Sequence, residues 1–437
     1  MPYPKMYALR QTFAREREED LRGAVQREIE KLKPHLQVRP GARVAITVGS
    51  RGIRNIAAIA GAVVDGVKSL GGRPFIFPAM GSHGGATAEG QAAVLRHYGV
   101  TEQAMGCPIQ SSMAAVQIGQ SREGIPVFLD KYASEADHVV VMNRVKSHTE
   151  FKGEIESGLM KMMLIGMGKY EGPKVYHKAF ADYGFDRLVE SLASVVIEKA
   201  KVLFGLAIVE NGYEETALIR GVLPREIVSS ERAFLRKAKE LAPKLPFDDA
   251  DILVVDEIGK NISGAGMDTN VIGRFYNIVA EEPEKPRIKR IYIRDLTPES
   301  VGNASGVGLA DFTHRRVVDK MDARATNTNC ITAVNPEKAR IPIICESDRE
   351  ALEYCLATIG LTPPEDARLI RIRNTLHLTD VDVSEALARQ AAGRSDLEIL
   401  AGPVALELDA AGELAPMLSL SPALAAHVAR ARAGGTH

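Results

Sequence analysis

The residues best suited to chemistry fall between Asn143 and Ala179, NRVKSHTEFKGEIESGLMKMMLIGMGKYEGPKVYHKA. Within it Lys146, His148, Lys152, Lys161, Lys169, Lys174, His177 and Lys178 surround a Gly- and Met-rich centre. Lys161 lies inside GLMKMMLIGMG with no carboxylate within four residues on either side. An ammonium among Leu and Met side chains loses hydration, which favours the unprotonated, nucleophilic amine. The alternative is a lysine that runs its stem along an apolar face and reaches water with its head. By residue type alone the second reading is the commoner; the flanking histidines favour the first.

A second chemical stretch lies upstream. GSHGGAT (81–87) follows an apolar run, and its glycines allow the backbone to close on a ligand. The helix expected after it offers unpaired N–H groups to an anion. His83 there either faces a crevice shared with His148 or caps that helix. The turn VGSRGIRN (48–55) carries Arg51, a guanidinium able to clamp a carboxylate through two parallel hydrogen bonds.

The elements that must position these groups alternate in type. DHVVVMNRV (137–145), ARVAITVGS (42–50) and GRPFIFPAM (72–80) are apolar runs of the kind that form buried strands. Helices are expected at 18–32, 56–70, 88–97, 157–168 and 186–199, with His177 in a Gly/Pro-containing loop between the last two. Strand, Gly-rich turn and helix in succession predict parallel sheets with crossover helices. Ligands of such sheets gather at the strands' carboxyl ends, where His83, Arg51 and His148 all fall.

The residues VKSH (145–148), SGLMKMM (157–163), Tyr176-His177 and GSHGG (81–85) resemble the lactate racemase family. That family uses a nickel-pincer nucleotide, a pyridinium dithiocarboxylic acid mononucleotide, to racemise or epimerise 2-hydroxy acids. The resemblance implies Lys161 as the covalent attachment point through a thioamide and His177 as nickel ligand. It implies His83 and His148 as the acid/base pair, with Gly84 and Gly158 beside the cofactor. Arg51 matches the arginine of an Asp-x-x-Arg motif, but Val48 stands in the aspartate's place. DEIGKNISGAGMD (256–268) resembles the second-domain segment bearing a substrate-facing lysine, here Lys260; a solvated loop lysine is the alternative. The implied partners are a small 2-hydroxy acid and the enzymes that build the cofactor, and a homo-oligomer stays open.

The expected fold is α/β: two α/β domains with largely parallel sheets and an interdomain active-site cleft. The boundaries are 1–245, 246–395 and a tail, 396–437, packing back on the first domain, with the break at LAPKLPFDDA (241–250). With 437 residues there is room for both cores, and a net charge of −1 argues against nucleic acid or an anionic membrane surface. The four cysteines lack metal or disulfide spacing, and no run is long enough to span a bilayer, so a cytoplasmic protein is expected. Two rival readings use the same residues. One is a zinc hydrolase ligated by His83, His148 and His177; the other is an inactive two-lobed binding homologue.

Overall fold

The computed structural model describes residues 2–50, 52–150, 152–277 and 281–421. The chain divides into two compact units, Ala14–Ala242 and Met1–Phe13 with Pro243–His437. It opens on β1 (Met6–Gln11), which belongs to the latter.

In the unit Ala14–Ala242 the main strands are β2 (Arg43–Val48) and β3 (Arg73–Pro78), followed after the hairpin β4 (Ala115–Gln120) and β5 (Pro126–Asp130) by β6 (His138–Arg144). Then come β7 (Val202–Glu210) and β8 (Thr216–Val222). The sheet runs β3-β2-β6-β7-β8, parallel except for the last pair. Val44, Ala45 and Ile46 of β2 are fully buried, as are Val139, Val140 and Val141 of β6. That is why these strands read as unbroken apolar runs rather than alternating ones. From β2 the chain crosses through helix Ile56–Ser69 to β3 on one side, and later returns to lay β6 on the other. The carboxyl ends of β2 and β6 therefore flank a topological switch point.

The other unit holds β9 (Asp249–Val255), β10 (Arg287–Ile293), β11 (Phe312–His314), β12 (Ile343–Cys345) and β13 (Leu369–Ile372). It adds β14 (Asp380–Ser384) and β15 (Leu397–Val404). The order is β12-β11-β10-β9-β13-β14-β1-β15, parallel through β13 and antiparallel beyond it. Two expectations change here. The first residues, expected within 1–245, belong to the second unit: Ala8 and Leu9 are fully buried in its sheet, and Arg10 pairs with Asp380 at 2.7 Å. The tail's strand pairs within this same unit. β15 covers the edge that β1 would otherwise leave with unpaired backbone groups. Both sheets are largely parallel, so the α/β class holds. Among the described residues no helix is long and apolar enough to cross a membrane.

Candidate active site

The turn after β3 is built on backbone contact. Gly84 has φ +65°, and a side-chain carbon there would lie 2.5 Å from the carbonyl carbon of Gly90. Only glycine lets the turn close on the first residues of helix Ala88–His97. Thr87 caps that helix, its hydroxyl accepting from the Gly90 N–H at 3.0 Å. His83 does not supply the cap; its side chain is exposed at the carboxyl end of β3.

Buried polar groups hold this turn from beneath. Gln91 Nε2 donates to the carbonyls of Met80 and Gly81 at 2.8 and 2.9 Å. Its Oε1 accepts from Lys169 Nζ at 2.6 Å, and the same ammonium donates to the Pro78 carbonyl at 2.8 Å. Lys169 and Asp130 are both fully buried, 3.6 Å apart. Sequence reasoning listed Lys169 among the cations but missed this role. Its signal was Gln91, a polar residue on the inner face of a short helix.

The segment after β6 is tied down residue by residue. Glu156 is fully buried; its Oε2 accepts from the His148 N–H at 2.8 Å and its Oε1 from Lys239 at 2.6 Å. Ser157 Oγ accepts from the Lys146 N–H at 2.8 Å, and Asn143 donates to the Gly158 carbonyl at 2.8 Å. These bonds fix His148 in its loop. Its Nδ1 accepts from the Glu150 N–H at 3.0 Å, and its Nε2 meets Lys161 Nζ. The half-buried Lys161 thus lies in hydrogen-bond contact with one predicted histidine.

The expected single helix over 157–168 is instead a short α turn, Leu159–Lys161, leading into a π-helical turn over Met162–Gly166. Such wide turns are frequent at functional sites. Close packing accompanies it: a side chain on Gly166 would reach within 2.7 Å of the Ala79 carbonyl, and one on Gly49 within 2.9 Å of Met162. The Lys161 turn therefore sits against the carboxyl ends of both β3 and β2. Gly158, with φ +84°, starts this turn where a side-chain carbon would fall 1.9 Å from Glu231 Oε1. Glu231 is fully buried on helix Ile227–Leu241, and its Oε2 accepts from the Met160 N–H at 3.0 Å. Burial raises its carboxyl well above the ordinary range, against the pull of the Met160 and Leu159 N–H groups. Sequence reasoning missed Glu231. A carboxylate in the stripe Ile227, Glu231, Leu235, Ala238 was the available sign.

His177 is not in a loop. It lies within helix Glu171–Tyr183, whose first turn accommodates Pro173 because the N–H that proline lacks would have no intrahelical partner there. Tyr176 anchors the helix by accepting the Phe128 N–H at 2.9 Å. Burial pushes the His177 ring down to about 4; a protonated Lys161 adds to this and Glu150 opposes it. The ring is therefore neutral at neutral pH, with a lone pair available to a metal.

Residues 7–184 match the family model of the lactate racemase N-terminal domain. The chain's fold is similar to that of the lactate racemase apoprotein from Thermoanaerobacterium thermosaccharolyticum. The match has a TM-score of 0.52 at 15% identity and covers 84% of this chain and 93% of that one. No curated protein sequence matches the chain.

Within the matched residues, Arg51 lies outside the described ones. Val48 is fully buried in a cluster with Ile53, Met80 and Met142, so this strand end is apolar where the family motif has a carboxylate. In the other unit Lys260 donates to the Gly264 carbonyl, and to Asn329 Oδ1 at 2.7 Å. Asp256, which flanks the same strand end, is paired with Arg371 at 2.8 Å and Arg294 at 3.1 Å. Among the described residues His83, His148 and His177 do not form a set of three mutually close ligand atoms; the set that does is His314, Asp348 and Glu413. Guanidinium groups already hold that one, Arg294 on Asp348 and Arg316 on Glu413.

Proposed function

We propose that the protein is a racemase or epimerase of a 2-hydroxy acid, acting with a nickel-pincer nucleotide joined to Lys161. The observation that carries this reading is the contact between the Lys161 amine and His148 within the residues that match the lactate racemase model, beside a neutral His177 ring. The residues fit the group. An amine that meets an imidazole nitrogen can be acylated, and an imidazole kept neutral by burial can ligate nickel. When bound, the cofactor supplies the acceptor for the hydrogen on the substrate's second carbon.

The chain's own residues do the rest. Loss of that hydrogen with its electron pair requires the hydroxyl proton to leave as well, and histidine exchanges protons near neutral pH. Either enantiomer can be the substrate, so one base is needed for each, and His83 and His148 fill those roles. Arg51 holds the carboxylate. The apolar surroundings of Val48 favour a substrate other than the family's usual one. The zinc reading loses support because its three histidines do not gather as ligands.

The test is expression together with the cofactor-building enzymes, followed by intact mass, nickel content and deuterium exchange at the second carbon across a hydroxy-acid panel. Wild type should carry the adduct and exchange at least one acid. His177→Ala should lose nickel while staying folded. A wild type without adduct that still racemises its substrate would overturn the reading.

A further inference from the structure

The hydrogen-bond pattern around His148 determines more than its position. A backbone N–H can only donate, so the nitrogen that receives it, Nδ1, must present a lone pair. A neutral imidazole then carries its proton on Nε2, the nitrogen facing Lys161 Nζ. An ammonium has only donors and cannot pair with an N–H. The contact is satisfied when Nε2–H donates and the lysine amine accepts.

We infer that His148, held as the Nε2–H tautomer by the Glu150 backbone, keeps Lys161 as an unprotonated amine at neutral pH until it is acylated. The inference rests on the cofactor reading for its purpose but not for its chemistry. An ordinary lysine is unprotonated in roughly one molecule in a few thousand at pH 7, so this contact supplies a nucleophile that the residue type alone does not. Among the described residues, titratable groups near the pair include Glu150 and Glu156 in the same loop, Lys239 paired with Glu156, His177 on helix Glu171–Tyr183 and Glu231 beneath the turn.

A consequence follows for His148. In this tautomer Nε2 has no lone pair with which to take a substrate's hydroxyl proton. Acylation, in which the amine gives up one hydrogen and the acyl donor its leaving group, converts it into an amide-type N–H, which donates and no longer accepts. Nε2–H, still set by the Glu150 N–H on Nδ1, can then donate to a substrate oxygen, the acid half of the His148 role; the base half needs the Glu150 bond to open.

Two measurements on the full chain without cofactor test this. In protein labelled with ¹⁵N-histidine, the His148 signal, assigned by its loss in His148→Phe, should show the Nε2–H tautomer at neutral pH. Finding Nδ1–H or imidazolium there would overturn the inference. Second, water-soluble N-hydroxysuccinimide acetate should acetylate Lys161 at pH 7 more than about tenfold faster than lysines titrating near 10.4. The peptide mapping should show that advantage lost in His148→Phe, and the wild-type His148 signal should keep the Nε2–H tautomer after Lys161 is acetylated. Ordinary Lys161 reactivity, or reactivity unchanged in the variant, would also overturn it. The outcomes separate from those of the cofactor reading. A fast-reacting Lys161 with no adduct after co-expression sinks the cofactor and spares this inference, whereas an adduct on a protein whose His148 is imidazolium does the reverse.

Discussion

Lys161 and Lys169 lie eight residues apart in one glycine- and methionine-rich segment, yet the fold gives them opposite chemistry. Lys169 is the more deeply buried, and burial lowers its pKa while Asp130 raises it. Around its Nζ stand the Pro78 carbonyl, Gln91 Oε1 and the Asp130 carboxylate, all acceptors, so the ammonium satisfies the set. Lys161 is half-buried and meets His148 Nε2, the nitrogen inferred to carry hydrogen. Lys260 in the other unit follows Lys169, with a carbonyl and an amide oxygen as partners. Depth of burial therefore does not sort reactive lysines from structural ones here. The hydrogen-bonding character of the partner does.

The widest test of this contrast is loss of function without loss of fold. Lys161→Arg should abolish both the covalent adduct and turnover, because a guanidinium stays protonated and cannot be acylated. Its thermal midpoint should stay close to wild type, since a long stem can still lie along the apolar face. An active arginine variant would remove Lys161 as the anchor. Lys169→Met should behave in the opposite sense. It leaves Asp130 buried without its counter-charge, and breaking such a pair costs about 3–5 kcal/mol in denaturant unfolding. Adding Asp130→Asn should recover part of the loss. A Lys169→Met protein as stable as wild type would mean the pair is neutral in the fold, and the contrast with Lys161 would fail.

Much of the scaffold around these lysines was legible, for identifiable reasons. β2, β3 and β6 are buried on both faces, so each appears as a continuous apolar run, bounded by glycine at β2 and β3, and helix Ala88–His97 falls where its Thr87 cap puts it. β1 and β15 were not legible as parts of a distant sheet, because their pairing is with residues hundreds of positions away. The π-helical turn was also out of reach. Its apolar spacing is compatible with an ordinary helix, and it forms where Gly166 meets Ala79 just beyond β3. Glycine and proline at 172 and 173 look like breakers and point to a loop at His177, whereas both fall in a helix's first turn. Lys161 and His148 were each apparent as residue types. Their contact depends on Glu156 and Ser157 folding the intervening loop, which no local pattern announces.

A smaller effect is expected at Gly158, and it sharpens the distinction between holding the Lys161 turn and touching the cofactor. Its φ of +84° and its approach to Glu231 Oε1 both exclude a side chain. Gly158→Ala should destabilise the protein by about 1–3 kcal/mol, the usual cost of a strained backbone conformation, with more if Glu231 cannot move. Unfolding by urea, alongside the acetylation rate of Lys161, reads both consequences. A variant of unchanged stability that no longer carries adduct would make Gly158 a cofactor contact and not a packing position.

The smallest expected effect concerns Glu231, the carboxyl beneath the same turn, and its sign comes from linkage. Burial raises its pKa in the folded protein, so the folded state keeps a proton that the unfolded chain has lost. The stability from this group is fully present below the unfolded value, about 4.3, and is lost as pH rises until the folded carboxyl also ionises. Glutamine is close to the same shape and cannot ionise. Near pH 4, Glu231→Gln should therefore lie within about 1 kcal/mol of wild type, the scale of one exchanged hydrogen bond. With rising pH the variant should gain on wild type as the penalty for ionising a buried carboxyl grows. Denaturant unfolding of both proteins from pH 4 to 8 measures the gap. Curves that run parallel would show Glu231 ionised in the fold across that range. The Met160 and Leu159 N–H groups would then outweigh burial, and a fixed negative charge beneath the Lys161 turn would favour the ammonium, against the amine that His148 is inferred to keep.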